Sequence, residues 1–285
     1  MSSSNKHLTV LFDESGTPTF SQKSNSTHFL GVALLYETED ESALLNDLKS
    51  TIGLTKSKPI KNDKFSSQKA IDCVKILGTR NIYISARYVR LDDSDLRTML
   101  QNYEKFGNLS RELYRGITTE RKIPQILHSQ IMGECIADLI FTYGQNHIAD
   151  SYTFEPYIDN WSYAKPDKHI VTEFTSENLE KKLHELLKEN SNRHPEITIK
   201  PIELLTKQSS DKKRLIDSLT SSISRAFYNI NDPKYNKTPL TILTQSLGDR
   251  FTIIDVTPEM TVFINNVMYD DIQGTKVKEK PLIIL

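Results

Sequence analysis

The stretch Leu8–Gly16 constrains the fold of this chain more than any other part of its sequence. It is an apolar run of strand length that ends in two adjacent carboxylates, Asp13 and Glu14. Because side chains alternate along a strand and both faces are largely apolar here, we expect a central strand covered on both sides. A carboxylate on a buried face is costly unless it is paired, hydrogen-bonded or bound to a metal. The alternative is that Asp13 only starts a turn through Ser15 and Gly16.

The composition is that of an ordinary globular protein. The 285 residues, 37% hydrophobic and 26% charged, fit one large domain or a domain with an appendage. The formal net charge of −1 provides no global attraction to nucleic acid. Local clusters of charge must therefore carry any argument for nucleic-acid binding.

We expect a cytoplasmic protein that does not enter the membrane. No apolar segment approaches the roughly 20 residues needed to span a bilayer. Residues 1–6 lack the apolar region of a signal peptide. Cys73 and Cys135 lie far apart in apolar helical contexts, which favours buried, reduced thiols.

The order of the predicted elements indicates an α/β fold over residues 1–230. Apolar and β-branched runs predict strands at 8–13, 28–36, 81–90, 152–159 and 197–202. Helical periodicity predicts helices within 37–50, 66–78, 92–145 and 177–190, and after 211. Three meandering strands followed by crossover units give a mixed sheet flanked by helices, which is the RNase H-like arrangement.

Acidic residues recur where elements of this fold end. Asp13 ends the first strand, Asp159 ends the strand at 152–159, and the last helix carries Asp211 and Asp217. Two-metal phosphodiester chemistry needs acidic oxygens from several elements around ions about 3.5–4 Å apart. Mg²⁺ and Mn²⁺ prefer such oxygen ligands. Asp211 suits capping in the first helical turn, so we prefer Asp217, at the boundary of the apolar stripe, as the third ligand.

A second acidic group lies on the helix that begins near residue 124. Glu134 and Asp138 are four residues apart and, with His128, could form a carboxylate–histidine site. Acidic residues on an amphipathic helix more often form a solvated face. This group is therefore the lesser alternative for the site.

The acidic motifs resemble those of the family called domain of unknown function 3800, an RNase H-like group linked to metal-dependent nucleases. The resemblance covers roughly residues 7–228. It rests on Asp13–Gly16, Tyr157–Asp159, the segment 209–217 and the lysine-bearing segment 58–65. It implies a Mg²⁺ or Mn²⁺ cluster built from Asp13, Asp159 and Asp217, with Glu14 near it in the catalytic site.

A basic track is expected to meet the phosphates of a nucleic acid substrate, and the resemblance suggests its first lysine. Lys61 or Lys64 would lie near a phosphate. Lys212, Lys213 and Arg214 would extend the track along the last helix.

Two positions depart from the pattern of that family. The lysine segment lacks the acidic residue expected before Lys61, and Ile216 stands where a small residue commonly precedes Asp217. The larger side chain at 216 could move the last helix outward and misplace the third ligand. An inactive scaffold would result.

Residues 236–285 are predicted to form a small β-rich C-terminal extension. Its β-rich runs lie at 241–243, 251–256 and 262–264. The extension could bind a protein partner, a second protomer or nucleic acid, because its apolar end is expected to be tied into a sheet or an interface.

The sequence thus supports two functions of different classes. One is a metal-dependent nuclease of DNA or RNA, for which the resemblance implies a role in prokaryotic defence or as a toxin-like effector. The other is a catalytically inactive RNase H-like scaffold that binds a protein partner through residues 236–285. Stabilisation by Mn²⁺ would distinguish them, since only a converged carboxylate cluster gains stability by binding the ion.

Overall fold

The computed structural model describes residues 5–16, 28–52, 67–94, 96, 98, 122–147, 149, 151–159, 165–189, 196–205, 210–228 and 230–259. Within them, seven strands form one mixed sheet with helices on both faces, as predicted. The strands are β1 (Asn5–Ser15), β2 (His28–Glu37), β3 (Ile82–Arg90), β4 (Ser151–Asp159), β5 (Glu196–Ile199), β6 (Glu203–Leu205) and β7 (Phe251–Asp255). The main helices are α1 (Glu41–Ile52), α2 (Ser67–Gly78), α3 (Lys122–Asn146), α4 (Lys165–Glu189), α5 (Ser210–Ser224) and α6 (Thr238–Leu247). None of these described helices is both long enough and apolar enough to cross a membrane.

β1 lies in the interior of the sheet, as its two apolar faces predicted. The strand order is β5–β4–β1–β2–β3–β7, and β6 also pairs with β4. β1, β2 and β3 form an antiparallel meander, whereas β4 runs parallel to β1. Parallel strands bring their carboxyl ends to the same edge of the sheet. Phe12 pairs with Ile158, one residue before Asp13 and Asp159.

Two apolar layers cover the sheet, and the alternation along β1 divides its side chains between them. Leu8, Val10 and Phe12 pack in the layer that contains α3 and α4. Leu11 packs on the opposite face with α1, α2, α5 and α6. These side chains are fully buried, and each contributes about 1.5–3 kcal/mol by leaving water. By the same alternation, Asp13 faces the α5 side of the sheet.

Two glycines let α3 approach its neighbours closely. Gly31 of β2 lies against Ile131 of α3, and a Cβ at position 31 would also come within 2.9 Å of the Phe12 ring. A Cβ at Gly133 would lie 2.8 Å from the backbone nitrogen of Leu179 on α4. The sequence predicted a bulge or a close approach at Gly31. The structure has the close approach, and β2 keeps regular pairing on both sides.

β4 accommodates Pro156 because the strand beside it is interrupted at that point. β5 ends at Ile199, opposite Phe154, and β6 begins at Glu203, opposite Tyr157. Proline has no N–H to donate to a ladder. The gap between β5 and β6 therefore falls where β4 has no donor to offer.

The described part of the C-terminal segment packs on the main sheet. Residues 241–243 were predicted to be β-rich, and this prediction was wrong, because they lie in α6. Leu243 and Leu247, four residues apart, bury one face of α6 in the layer with α2 and α5. β7 is a strand, as predicted, and pairs in parallel with β3. Residues 260–285 lie outside the described residues, so the domain division after residue 230 stays a prediction.

His28 is a buried histidine at the start of β2. Its ring lies 5.4 Å from that of Phe227 and 5.6 Å from that of Tyr228, centroid to centroid. Burial lowers the pKa of His28 to about 4, against the charge of Asp92 and a hydrogen bond with the Phe227 backbone, which both raise it. The imidazole is therefore neutral at neutral pH.

Both cysteines are buried, as predicted, and they lie on opposite faces of the sheet. Cys73 on α2 packs in the same layer as α5, and Cys135 on α3 packs in the other layer. Burial raises the pKa of the Cys73 thiol to about 12. A thiol in this state is a poor nucleophile.

Candidate metal centre

Three carboxylates converge at the edge of the sheet where β1 and β4 end. Asp13 comes from β1, Asp159 from the last position of β4, and Asp217 from α5. One oxygen atom from each lies within 4.8 Å of the other two. The sequence predicted this set of three residues. The parallel pairing of β1 and β4 accounts for the first two being side by side.

α5 brings Asp217 to this edge because its apolar face packs on the sheet. Leu215, Ile216 and Leu219 are fully buried in the layer that also covers Leu11. Asp217 is partly buried at the margin of that face. Ile216 therefore does not displace the helix, since its side chain is accommodated in the core while the next residue reaches the cluster.

Asp211, the other candidate on α5, lies outside the cluster. It occupies the first turn of the helix, as its capping role predicted. Its carboxylate accepts a hydrogen bond from Lys49 and lies 3.8 Å from the guanidinium of Arg214. Asp211 thus tethers the start of α5 to α1.

Burial and mutual repulsion make the fully ionised cluster costly. Burial raises the pKa of Asp13 well above its ordinary value, and the charges of Glu14, Asp217 and Asp159 raise it further. Burial also raises the pKa of Asp217 to about 7, with a further contribution from Asp159, while Lys213 opposes the rise. A bound cation would offset this repulsion.

Lys213 contacts the cluster directly. Its ammonium donates to both carboxylate oxygens of Asp159, at 2.6 Å to Oδ2. Burial lowers the pKa of Lys213, but its hydrogen bond and charge interaction with Asp159, together with the charges of Asp217 and Asp13, raise it overall. Lys213 is therefore a stable cation beside the three acids. The sequence placed it on a track for phosphate and did not predict its contact with Asp159.

Glu14 lies beside the cluster but is not one of its three converging residues. Its Oε2 lies 3.5 Å from Nε2 of His128 on α3. The alternation of β1 accounts for this, since it turns Glu14 to the face opposite that of Asp13. The charge of Glu14 still raises the pKa of both Asp13 and Asp217. Glu14 thus borders the site from its α3 side.

The alternative group on α3 is divided between two other interactions. Glu134 and Asp138 both bind Arg87 of β3: its Nη1 donates to Glu134, and its Nε donates to Asp138 Oδ2 at 3.0 Å. The side chain of Arg87 is only 8% exposed, and it pairs with both acids within the fold. His128 instead lies against Glu14.

Arg87 was missed by sequence reasoning. It lies in the middle of β3, whose neighbouring residues are apolar, aromatic or small. An arginine is rarely buried unless it is paired. A charged residue inside an otherwise apolar strand was therefore the signal that it needed acidic partners on a facing helix.

The basic track is only partly described. Lys212 lies 3.0 Å from Glu41 and 4.2 Å from the centroid of the Tyr157 ring. Arg214 faces Asp211 at 3.8 Å. Both cations therefore already have acidic neighbours. Lys61 and Lys64 lie outside the described residues, so their predicted role stays a prediction.

The donor set of the cluster fits a hard divalent cation. Its ligands are carboxylate oxygens that repel one another in a largely buried position, and such oxygens suit Mg²⁺ and Mn²⁺ better than soft metals. A bound ion of this kind lowers the pKa of its water and stabilises charge on a phosphate. The chain itself would supply the three ligands, a bordering carboxylate at Glu14 and a cation at Lys213.

Comparison with known proteins assigns no family to this chain. A scan against protein-family models and a search of curated proteins both found no match. The resemblance to the domain of unknown function 3800 family therefore stays a prediction from the motifs. What the chain does must be inferred from the geometry of the site.

Proposed function

We propose that this chain is a metal-dependent nuclease that hydrolyses phosphodiester bonds of DNA or RNA with Mg²⁺ or Mn²⁺. One observation carries the proposal: carboxylates from two parallel strands and one helix, far apart in sequence, converge within 4.8 Å of one another. A single buried acid at a strand end has many structural explanations. Three that meet at one edge, with raised pKa values at Asp13 and Asp217, are the arrangement that hard-metal hydrolysis needs.

The topology supports the same proposal. Three antiparallel strands are followed by a crossover to β4, which lies parallel beside β1. This is the order expected of an RNase H-like domain. The helix α5, which packs on the sheet, then supplies the third acid. Fold resemblance alone would not establish an activity. The proposal therefore rests on the site, and the topology is supporting evidence.

Each residue has a distinct role in the proposed site. Asp13, Asp159 and Asp217 hold the ion, and Glu14 acts as an auxiliary acid at its border. Lys213 is a cation within reach of an incoming phosphate. No dedicated strong base is required, because the ion activates water.

Nuclease assays with a matched pair of variants test the proposal. Single- and double-stranded DNA and RNA are incubated with wild type, with Asp217→Asn and with Asp211→Asn, in Mg²⁺, Mn²⁺ or EDTA. Asp211 is the control because it lies on the same helix and outside the cluster. We expect metal-dependent cleavage by wild type and the control. Loss of a ligand should lower activity by at least about 100-fold, beyond the 10–100-fold typical of residues that only support ligands.

A thermal-shift experiment separates this proposal from the inactive-scaffold alternative. Mn²⁺ at about 100 times its dissociation constant should stabilise the wild type by about 2.7 kcal/mol, and Asp13→Asn should lose that gain. If Mn²⁺ stabilises neither wild type nor Asp13→Asn, or stabilises both by the same amount, the carboxylate cluster is not a metal site. Cleavage at equal rates by both proteins would likewise overturn the proposal.

A further inference from the structure

The ammonium of Lys213 lies against the acidic cluster. It precedes Asp217 by four residues on α5, so the two side chains project from the same face of the helix. Its ammonium donates to both oxygens of Asp159, while its side chain remains 34% exposed. Lys213 is thus fixed on one ligand of the proposed site and can also be reached from solvent.

The spacing of the acids suits one ion. Ligand oxygens lie about 2.0–2.1 Å from Mg²⁺, so oxygens on opposite sides of one ion are about 4.2 Å apart by the same geometry. The three oxygens of the cluster already lie within 4.8 Å of one another. Two ions about 3.5–4 Å apart would need further oxygen ligands to bridge and complete them. Asp159, the last residue of β4, instead accepts hydrogen bonds from Lys213 at both of its carboxylate oxygens.

Building on the proposed nuclease site, we propose that the ammonium of Lys213 takes the place of a second divalent cation. The cluster then binds one divalent ion, and Lys213 supplies the second positive charge beside Asp159. An ammonium suits this position because it is a compact point charge with three donors on a flexible stem. This replaces the two-ion site expected from the sequence with a site of one ion and one lysine.

The neighbouring Lys212 provides a matched comparison. It also lies on α5, but its ammonium contacts Glu41 and the Tyr157 ring rather than the cluster. Replacing it with methionine removes the same charge from the same turn of helix. An effect of Lys213→Met that Lys212→Met lacks therefore reports the position of Lys213 beside the acidic cluster.

Isothermal titration of the full chain with Mn²⁺ tests the inference without any assay of activity. We expect one Mn²⁺ per chain for wild type, Lys212→Met and Lys213→Arg, which keeps the positive charge. Lys213→Met should bind two, because the uncompensated carboxylates then attract a second ion. Electron paramagnetic resonance should show coupled Mn²⁺ spins in Lys213→Met only.

The outcomes distinguish this inference from the proposed function. Two ions in wild type, or one ion in a folded Lys213→Met protein, would overturn the role of Lys213 and leave a metal-dependent nuclease in place. Binding of no Mn²⁺ by wild type would overturn the metal site itself. If Lys213→Met does not fold, two ions bound to wild type or to Lys213→Arg would still refute the inference.

Discussion

Replacement of Asp217 by asparagine should make the metal-free protein more stable while removing its metal site. Burial raises the pKa of this carboxyl from 3.8 to about 7, with a further contribution from the charge of Asp159. A rise in pKa from 3.8 to about 7 corresponds to about 4 kcal/mol, at about 1.36 kcal/mol for each pKa unit. This is the approximate upper limit of the free energy that the ionised carboxylate costs the folded state.

The cost depends on pH in a defined direction. Below pH 3.8 the carboxyl is protonated in both the folded and the unfolded chain, so it imposes no penalty. Between 3.8 and about 7 the unfolded chain releases the proton first, so stability falls as pH rises. Above about 7 the whole penalty is present. Asparagine carries no charge and avoids it.

Urea unfolding in EDTA measures the effect. At about pH 8, Asp217→Asn should have a free energy of unfolding up to about 4 kcal/mol above that of wild type, and the difference should shrink toward about pH 4. Asp211→Asn is the control. It loses a partly exposed ion pair with Lys49 and should change stability by no more than about 1 kcal/mol. A less stable or unchanged Asp217→Asn protein at about pH 8 would refute the account of a strained cluster.

Three further predictions concern the surrounding fold. His28→Gln should make the free energy of unfolding less dependent on pH between 6.5 and about 4. The folded pKa of His28, about 4, lies below the ordinary 6.5, so wild type loses about 3 kcal/mol of stability as pH falls through that range. Equal pH profiles for the two proteins would contradict this. Arg87→Met should destabilise by about 3–5 kcal/mol, because it leaves Glu134 and Asp138 without their buried partner. Adding the two amide substitutions at those acids should recover much of the loss in urea unfolding, and failure to recover would show that packing of the arginine stem dominates. Gly133→Ala should cost about 1–3 kcal/mol in the same assay, since the added methyl group meets the backbone of α4, and a neutral result would mean that α3 and α4 can separate freely.

Much of the fold and of the site followed from local sequence pattern. The apolar faces of β1 and β2 predicted strands inside a two-sided sheet, and both strands are buried. Asp13 and Asp159 were predicted as neighbours because each ends a strand, and the strands proved parallel and adjacent. Helical periodicity favoured Asp217 over Asp211 on α5. The faces of each strand and helix depend on residues close in the chain, so periodicity was sufficient to find them. The adjacency of β1 and β4 was inferred from the order of the elements.

Other features depend on partners far away in the chain. The composition of residues 241–243 predicted a strand. In the structure, Leu243 and Leu247 form one face of a helix that packs in the layer with α2. The sequence of Glu134 and Asp138 is compatible with a solvated face or a metal site, and Arg87, about fifty residues earlier, pairs with both acids. A β-branched run or an acidic pair is compatible with several environments. The elements packed against it select among these environments.

The sequence alone determined that carboxylates end β1 and β4 and occupy the margin of the apolar face of α5. Strand alternation and helical periodicity are local, and they are written directly in the spacing of the residues. The tertiary structure decided what each charge meets: Lys213 on Asp159, Arg87 on the acids of α3, and His128 against Glu14. Those contacts depend on the order of the strands and on the seating of the helices across the sheet, which no local spacing specifies.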